Sequence, residues 1–140
     1  MNAWSNLPNA KHIDWVLASL KSNIDIWIQA RNQAYSQALN QAWNQVRVQA
    51  RDQARVQALN QAWEQARNQA WEQARNQAWK QAYDQASGVL VALIAYDDCD
   101  QYLSMTFDEL KTWAALTEKP QAILLLPMVY VKEQTNECLV

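Results

Sequence analysis

Three carboxylates fall within four residues at Asp97-Asp98-Cys99-Asp100, the only acidic cluster in the chain and the first place to look for chemistry. Oxygen donors of this kind could hold Mg²⁺. On a helix, however, Asp97 and Asp100 share a face while Asp98 points elsewhere, and no Lys, His or glycine-rich phosphate loop stands beside them. The expected reading is a solvated acidic face near a helix end. His12 is the one histidine, and the two cysteines, Cys99 and Cys138, lie far apart. That inventory cannot assemble a zinc site at the usual spacings. Cys99 has no His partner nearby in sequence and reads as a buried, reduced thiol. No nucleophile or acid–base constellation emerges, so the chain reads as a non-enzymatic protein with no cofactor and no bound metal.

The elements that would position these residues are helical. One glycine and three prolines in 140 residues are too few for an all-β sandwich or barrel, which turns every ~8–12 residues. Gly88 alone cannot build a phosphate-binding loop. The longest apolar stretch, Val89 to Tyr96, is too short to span a bilayer. The opening residues carry neither a basic nor an apolar leader segment. A soluble, cytoplasmic protein without membrane attachment is expected.

An internal repeat dominates the sequence. Gln recurs every four residues from Gln29 to Gln85, fifteen times, and Ala follows each one except Gln45, where Val46 stands in. The third position of this Gln-Ala-x-y unit is mostly large: Arg31, Tyr35, Leu39, Trp43, Arg47, Arg51, Arg55, Leu59, Trp63, Arg67, Trp71, Arg75, Trp79 and Tyr83. Trp27 already occupies that phase, so five of the eight tryptophans belong to it. Gln, Ala, Arg, Glu and Leu favour helix, and no Gly or Pro interrupts the array. A continuous helix from Ile24 to Ala86 would be a rod of about 95 Å. The alternative is a kink or hairpin at the least regular patch, residues 46–56. Each unit advances about 400°, so every stripe drifts by about 40° and calls for right-handed winding.

Two binding modes follow from the stripes. Ala permits close helix approach, and Gln can hydrogen-bond across the contact or along its own helix. The first reading is therefore self-association or docking on a protein partner, anchored by Trp27, Trp43, Trp63, Trp71 and Trp79. The second is nucleic acid or nucleotide binding, with those indoles stacking bases and Arg31, Arg47, Arg51, Arg55, Arg67 and Arg75 meeting phosphates. Between Gln29 and Ala86 seven bases face four acids, a charge of +3 that is thin for nucleic acid. From Ser87 onward eight acids face three bases, giving −5 and permitting head-to-tail attraction between chains.

The flanks complete an all-α reading. Residues 1–23 form a short helix after Asn6-Leu7-Pro8, with Ile13, Val16, Leu17 and Leu20 on one face. Ser22 or Asn23 caps the array helix, residues 24–87. Residues 88–131 form a helical cap: a helix reaching about Leu103 after a bend at Ser87-Gly88, a second opened by the capping box Thr106-Phe107-Asp108-Glu109, and a third across Pro127, for which an extended strand is the alternative. Residues 132–140 are expected to be a flexible tail.

The array followed by Val-Ala-Leu-Ile-Ala-Tyr-Asp-Asp-Cys, with Leu110-Lys111-Thr112-Trp113 and Ala122-Ile123-Leu124-Leu125-Leu126-Pro127 beyond it, resembles small uncharacterised proteins encoded by bacteriophages and prophages. The resemblance covers Ile28 to Val131. It implies an accessory phage protein acting in the bacterial cytoplasm, with inhibition of a host defence as the associated role.

Overall fold

A computed structural model describes residues 3–33, 36–49, 53–73, 76–117 and 120–135. The described residues are helical, with no strand among them. The elements are α1 (Ala10–Ser22), α2 (Ile24–Gln33), α3 (Ser36–Gln49), α4 (Gln53–Gln73), α5 (Asn76–Ala95), α6 (Asp100–Leu103), α7 (Phe107–Thr117), α8 (Pro120–Leu124) and α9 (Leu126–Gln134). No helix among them is long and apolar enough to cross a membrane.

The array is not a 95 Å rod. Its residues are divided among α2, α3, α4 and α5, and the first three all pack against α5. The repeat therefore folds back on itself within one chain. The reason lies in the Ala stripe. Ala30, Ala42, Val46, Ala58, Ala62, Ala66, Ala82 and Ala86 all occupy the second position of a unit, and all are buried. A stripe that drifts about 40° per unit leaves any partner face after a few turns. Ala54, one unit ahead of the buried trio on α4, is already exposed. The patch singled out for a kink contains the end of α3 and the start of α4, while residues 50–52 within it lie outside the described residues.

α5 is the centre of the fold. Its second half, Val89-Leu90-Val91-Ala92-Leu93-Ile94, is buried on every side. A helix that is apolar all round needs neighbours all round, and α1, α2, α3, α4, α8 and α9 supply them. α5 runs unbroken through Ser87 and Gly88, where a bend was expected, and joins the last repeats to the apolar segment in one element. Neither a turn nor a close approach requires glycine at position 88. A methyl group built there would lie 3.5 Å from Cδ2 of Leu124 and 3.9 Å from Cε3 of Trp43. The helix ends at Ala95, earlier than the expected Leu103, and a turn at residues 97–99 leads into α6.

Two distant side chains close the exposed end of α5. Asn9, fully buried ahead of α1, donates its amide to the carbonyls of Leu93 and Tyr96, both at 2.7 Å. Arg55 on α4 reaches the Ile94 carbonyl and Oδ1 of Asp97, the latter at 2.7 Å. Carbonyls at a helix C-terminus lack partners along the chain, so these contacts tie the first and fourth helices to the fifth.

The capping box forms as read. The Thr106 N–H donates to Oε1 of Glu109 at 3.0 Å, and the Glu109 N–H donates to Oγ1 of Thr106 at 3.2 Å. The Thr106 donors also hold the Glu109 carboxyl below its ordinary pKa. Thr106→Ala is expected to lower unfolding stability by about 1 kcal/mol in a urea titration, the usual cost of a lost N-cap oxygen. The last expected helix is split in two. α8 ends at Leu124 and α9 restarts at Leu126, with Pro127 in its first turn, where its missing N–H costs no hydrogen bond. α9 runs on to Gln134, and Lys132 is buried with its ammonium 4.7 Å from the Trp15 ring. The folded part thus extends past Val131; residues 136–140 of the expected tail, Cys138 among them, lie outside the described residues.

Candidate functional site

The acidic cluster is not a helical face but a turn, and its carboxylates are separately engaged. Asp97 accepts from Arg55, Asp98 accepts from Gln101 at 3.1 Å and from the Tyr102 hydroxyl at 3.5 Å, and Asp100 meets Nε2 of His12. No group of three His, Cys, Asp or Glu side chains among the described residues is arranged to hold a metal ion. Cys99 is buried, and its thiol donates to the Ala92 carbonyl at 3.4 Å. Burial, reinforced by Asp98, Asp100 and Asp97, pushes that thiol far above its ordinary pKa. A thiol so poorly ionised is a weak nucleophile.

His12 is a buried partner of Asp100, which is itself 59% exposed. Desolvation is the largest influence on the imidazole and lowers its pKa; Asp100 opposes this by hydrogen bond and charge, while Lys132 and Lys11 add to it. The unfolded chain takes up this proton near 6.5, whereas the folded chain takes it up only at lower pH. Stability is therefore full above that value and declines as pH falls below it, until the folded imidazole is also protonated. Melting temperatures measured from pH 8 down to pH 5 should fall below 6.5, and His12→Gln should flatten that part of the profile. A flat wild-type profile would contradict the assignment.

A cavity of about 380 Å³ opens between the array and the C-terminal helices. α3 contributes Leu39, Asn40 and Trp43; α4 contributes Trp63; α5 contributes Tyr83, Asp84, Gln85, Ser87 and Gly88; Leu124 and Pro127 close the far side. Trp43 and Trp63 stack on each other, with centroids 6.0 Å apart and planes 17° from parallel. The end of the repeat lies on this wall. Ser87 and Gly88 occupy the x and y positions of the fifteenth unit, where other units mostly carry Trp, Arg, Leu or Tyr at x.

The polar groups of this wall are unusual. Nε1 of Trp63, Oε1 of Gln85 and Oγ of Ser87 are buried, and none meets a hydrogen-bond partner in the protein. Ser87 is only 4% exposed. Buried polar atoms are nearly always paired, because stripping water from one without replacement costs about 1–3 kcal/mol. Three lining residues thus carry a polar atom closed off from solvent, and the cavity with its aromatic pair is the candidate site.

The residues expected to form an outward stripe are dispersed. Trp27 is fully buried, with its Nε1–H donating to Oγ of Ser19 at 3.0 Å, so it packs the core instead of facing a partner. Trp43 and Trp63 are half-buried and line the cavity. Arg55 is committed to the end of α5, whereas Arg47 and Arg67 are exposed. Arg51 and Arg75, and the side chains of Arg31, Trp71 and Trp79, lie outside what is described. The Gln series does reach across contacts: Oε1 of Gln61 accepts from the Ala3 N–H at 2.7 Å, and Oε1 of Gln29 accepts from the Tyr130 hydroxyl at 3.4 Å. Sequence reasoning missed Gln85, Ser87, Leu124 and Pro127 as site residues. The loss of a large x residue at Ser87 was the available signal.

No protein-family model, curated protein or solved structure matches the chain. Function has to be argued from the site itself.

Proposed function

We propose that this is a non-catalytic binding protein whose repeat array folds back to enclose a small-molecule cavity. The observation that carries the reading is the cavity with the stacked Trp43–Trp63 pair on its wall. Its volume falls at the small end of the range for metabolite-sized ligands, roughly 300–1,000 Å³. Apolar and aromatic walls with a few placed polar groups are the usual make-up of such pockets. On the resemblance to phage-encoded array proteins, the proposal extends to an accessory role in an infected bacterium.

Gly88→Leu provides the test. Leucine favours helix over glycine, and its side chain would grow past Leu124 and Trp43 into the cavity. Indole, a neutral planar probe, is expected to give saturable heat in calorimetry with the wild-type chain and none with Gly88→Leu, whose circular dichroism should be unchanged. If neither indole nor any purine binds the wild-type chain, the reading fails.

Self-association through the array remains a second reading, favoured by one observation. Val48 and Val56, on α3 and α4, are 49% and 38% exposed, and the +3 array could meet the −5 C-terminal part of a second copy. Light scattering at micromolar concentration decides it, because a monomer excludes it.

A further inference from the structure

Resting on the small-molecule reading, we infer that the cavity takes a planar aromatic ring system, recognised by ring contact with Trp43, Trp63 and Tyr83. All three line the cavity and are half-buried, so each keeps accessible surface. The part of the Trp63 side chain open to a ligand is carbon, because its Nε1 is closed to solvent. Cε3 of Trp43 lies 3.9 Å from where a methyl group at Gly88 would stand, and Gly88 is itself on the wall. The six-membered half of that indole is therefore at the cavity.

The rings decide which apolar ligand gains most. Leu39, Leu124 and Pro127 offer burial to any of them. Trp43 and Trp63 lie nearly parallel, with centroids 6.0 Å apart, well beyond the ~3.5–4.0 Å of carbon atoms in contact. Neither indole therefore covers the face of the other. Aromatic rings gain from offset-stacked or edge-to-face contact beyond the area they bury, through their quadrupoles. A flat ring system can extend the Trp43–Trp63 pair in this way, whereas a saturated molecule of similar outline gains burial alone. Nε1 of Trp63, Oε1 of Gln85 and Oγ of Ser87 are sealed from solvent, so they impose no hydrogen-bond match on the ligand. Selectivity at that part of the wall falls to shape and ring surface. The volume of about 380 Å³ is enough for a bicyclic molecule.

Calorimetric titrations of the full chain with 2-naphthol and its saturated counterpart, decahydro-2-naphthol, test the inference. The two share a bicyclic outline and one hydroxyl, so they differ chiefly in ring character. 2-Naphthol is expected to bind about fivefold more tightly, the size of an aromatic pair contact beyond area burial. Trp43→Leu keeps an apolar wall and should bring the two ligands within about twofold of each other, whereas Trp43→Phe, which keeps a ring, should retain the preference. Trp63→Leu, on the other helix, should act as Trp43→Leu does, so the readout does not depend on one variant folding. Gly88→Leu should abolish binding of both ligands. Decahydro-2-naphthol binding as tightly as 2-naphthol overturns the aromatic class and leaves the binding cavity intact. A preference that survives both leucine variants at the tryptophans, or survives Gly88→Leu, overturns the assignment to these rings. Binding of neither ligand, with indole also silent, removes both readings.

Discussion

Trp27→Ala is expected to cost about 3–5 kcal/mol of unfolding free energy, the range for deleting a large aromatic side chain from a core. Trp27 is fully buried, packs against Trp15 at a centroid distance of 6.5 Å, and donates its indole N–H to Ser19. Deletion would remove apolar burial, leave a cavity and take away one of the two hydrogen bonds to the Ser19 hydroxyl, the other coming from the Asn23 amide at 3.3 Å. An outward-facing anchor at the same repeat position would behave differently, since surface substitutions usually shift stability by less than about 0.5 kcal/mol. Urea denaturation followed by far-UV circular dichroism separates the two cases. Val48→Ala, at an exposed array position, is the control and should unfold within about 0.5 kcal/mol of the wild type.

Ala62→Glu is the second large effect. Ala62 is fully buried on α4, which packs against both α1 and α5. A glutamate there would bury an uncompensated charge and overfill a close helix contact, for about 3–5 kcal/mol or outright loss of the cooperative transition. Gln57→Glu, exposed on the same helix, places the same charge in water and should be near neutral. The pair of variants tests whether the Ala stripe packs within one chain. If the stripe joined separate copies, Ala62→Glu would yield a chain of unchanged helicity and reduced mass by light scattering. Within one chain it loses helicity itself.

Several features were legible because they depend on neighbours in sequence. The Thr106–Glu109 capping box needs only four consecutive residues, and it forms with both reciprocal hydrogen bonds. The apolar run Val89–Ile94 reads as helix from its own residues and forms the buried second half of α5. The division at Ser87-Gly88 was drawn where composition changes, yet α5 ignores it, because one glycine in an otherwise favourable helix costs only about 1 kcal/mol against Ala. That cost is small beside the burial of the six apolar residues that follow. Pro127 was placed inside one helix, whereas its geometry suits a first turn and separates α8 from α9.

The candidate site was half visible. Trp43 and Trp63 were singled out for their type and phase, but their joint role was not, since they are twenty residues apart and on different helices. The His12–Asp100 and Asn9–Leu93 contacts span still longer stretches of chain. No local propensity encodes such pairings.

What the sequence determined by itself was helix content and the rule of the repeat: an Ala every four residues, out of phase with a 3.6-residue turn, which no straight helix can keep on one face. What only the tertiary structure decided was how that conflict is resolved. Fifteen nearly identical units have nearly identical local preferences, so the choice between a rod and a folded bundle rests on contacts between distant units and the apolar half of α5. Those contacts turn the alanines inward, bring two tryptophans together, and leave a cavity lined by the serine and glycine of the last unit.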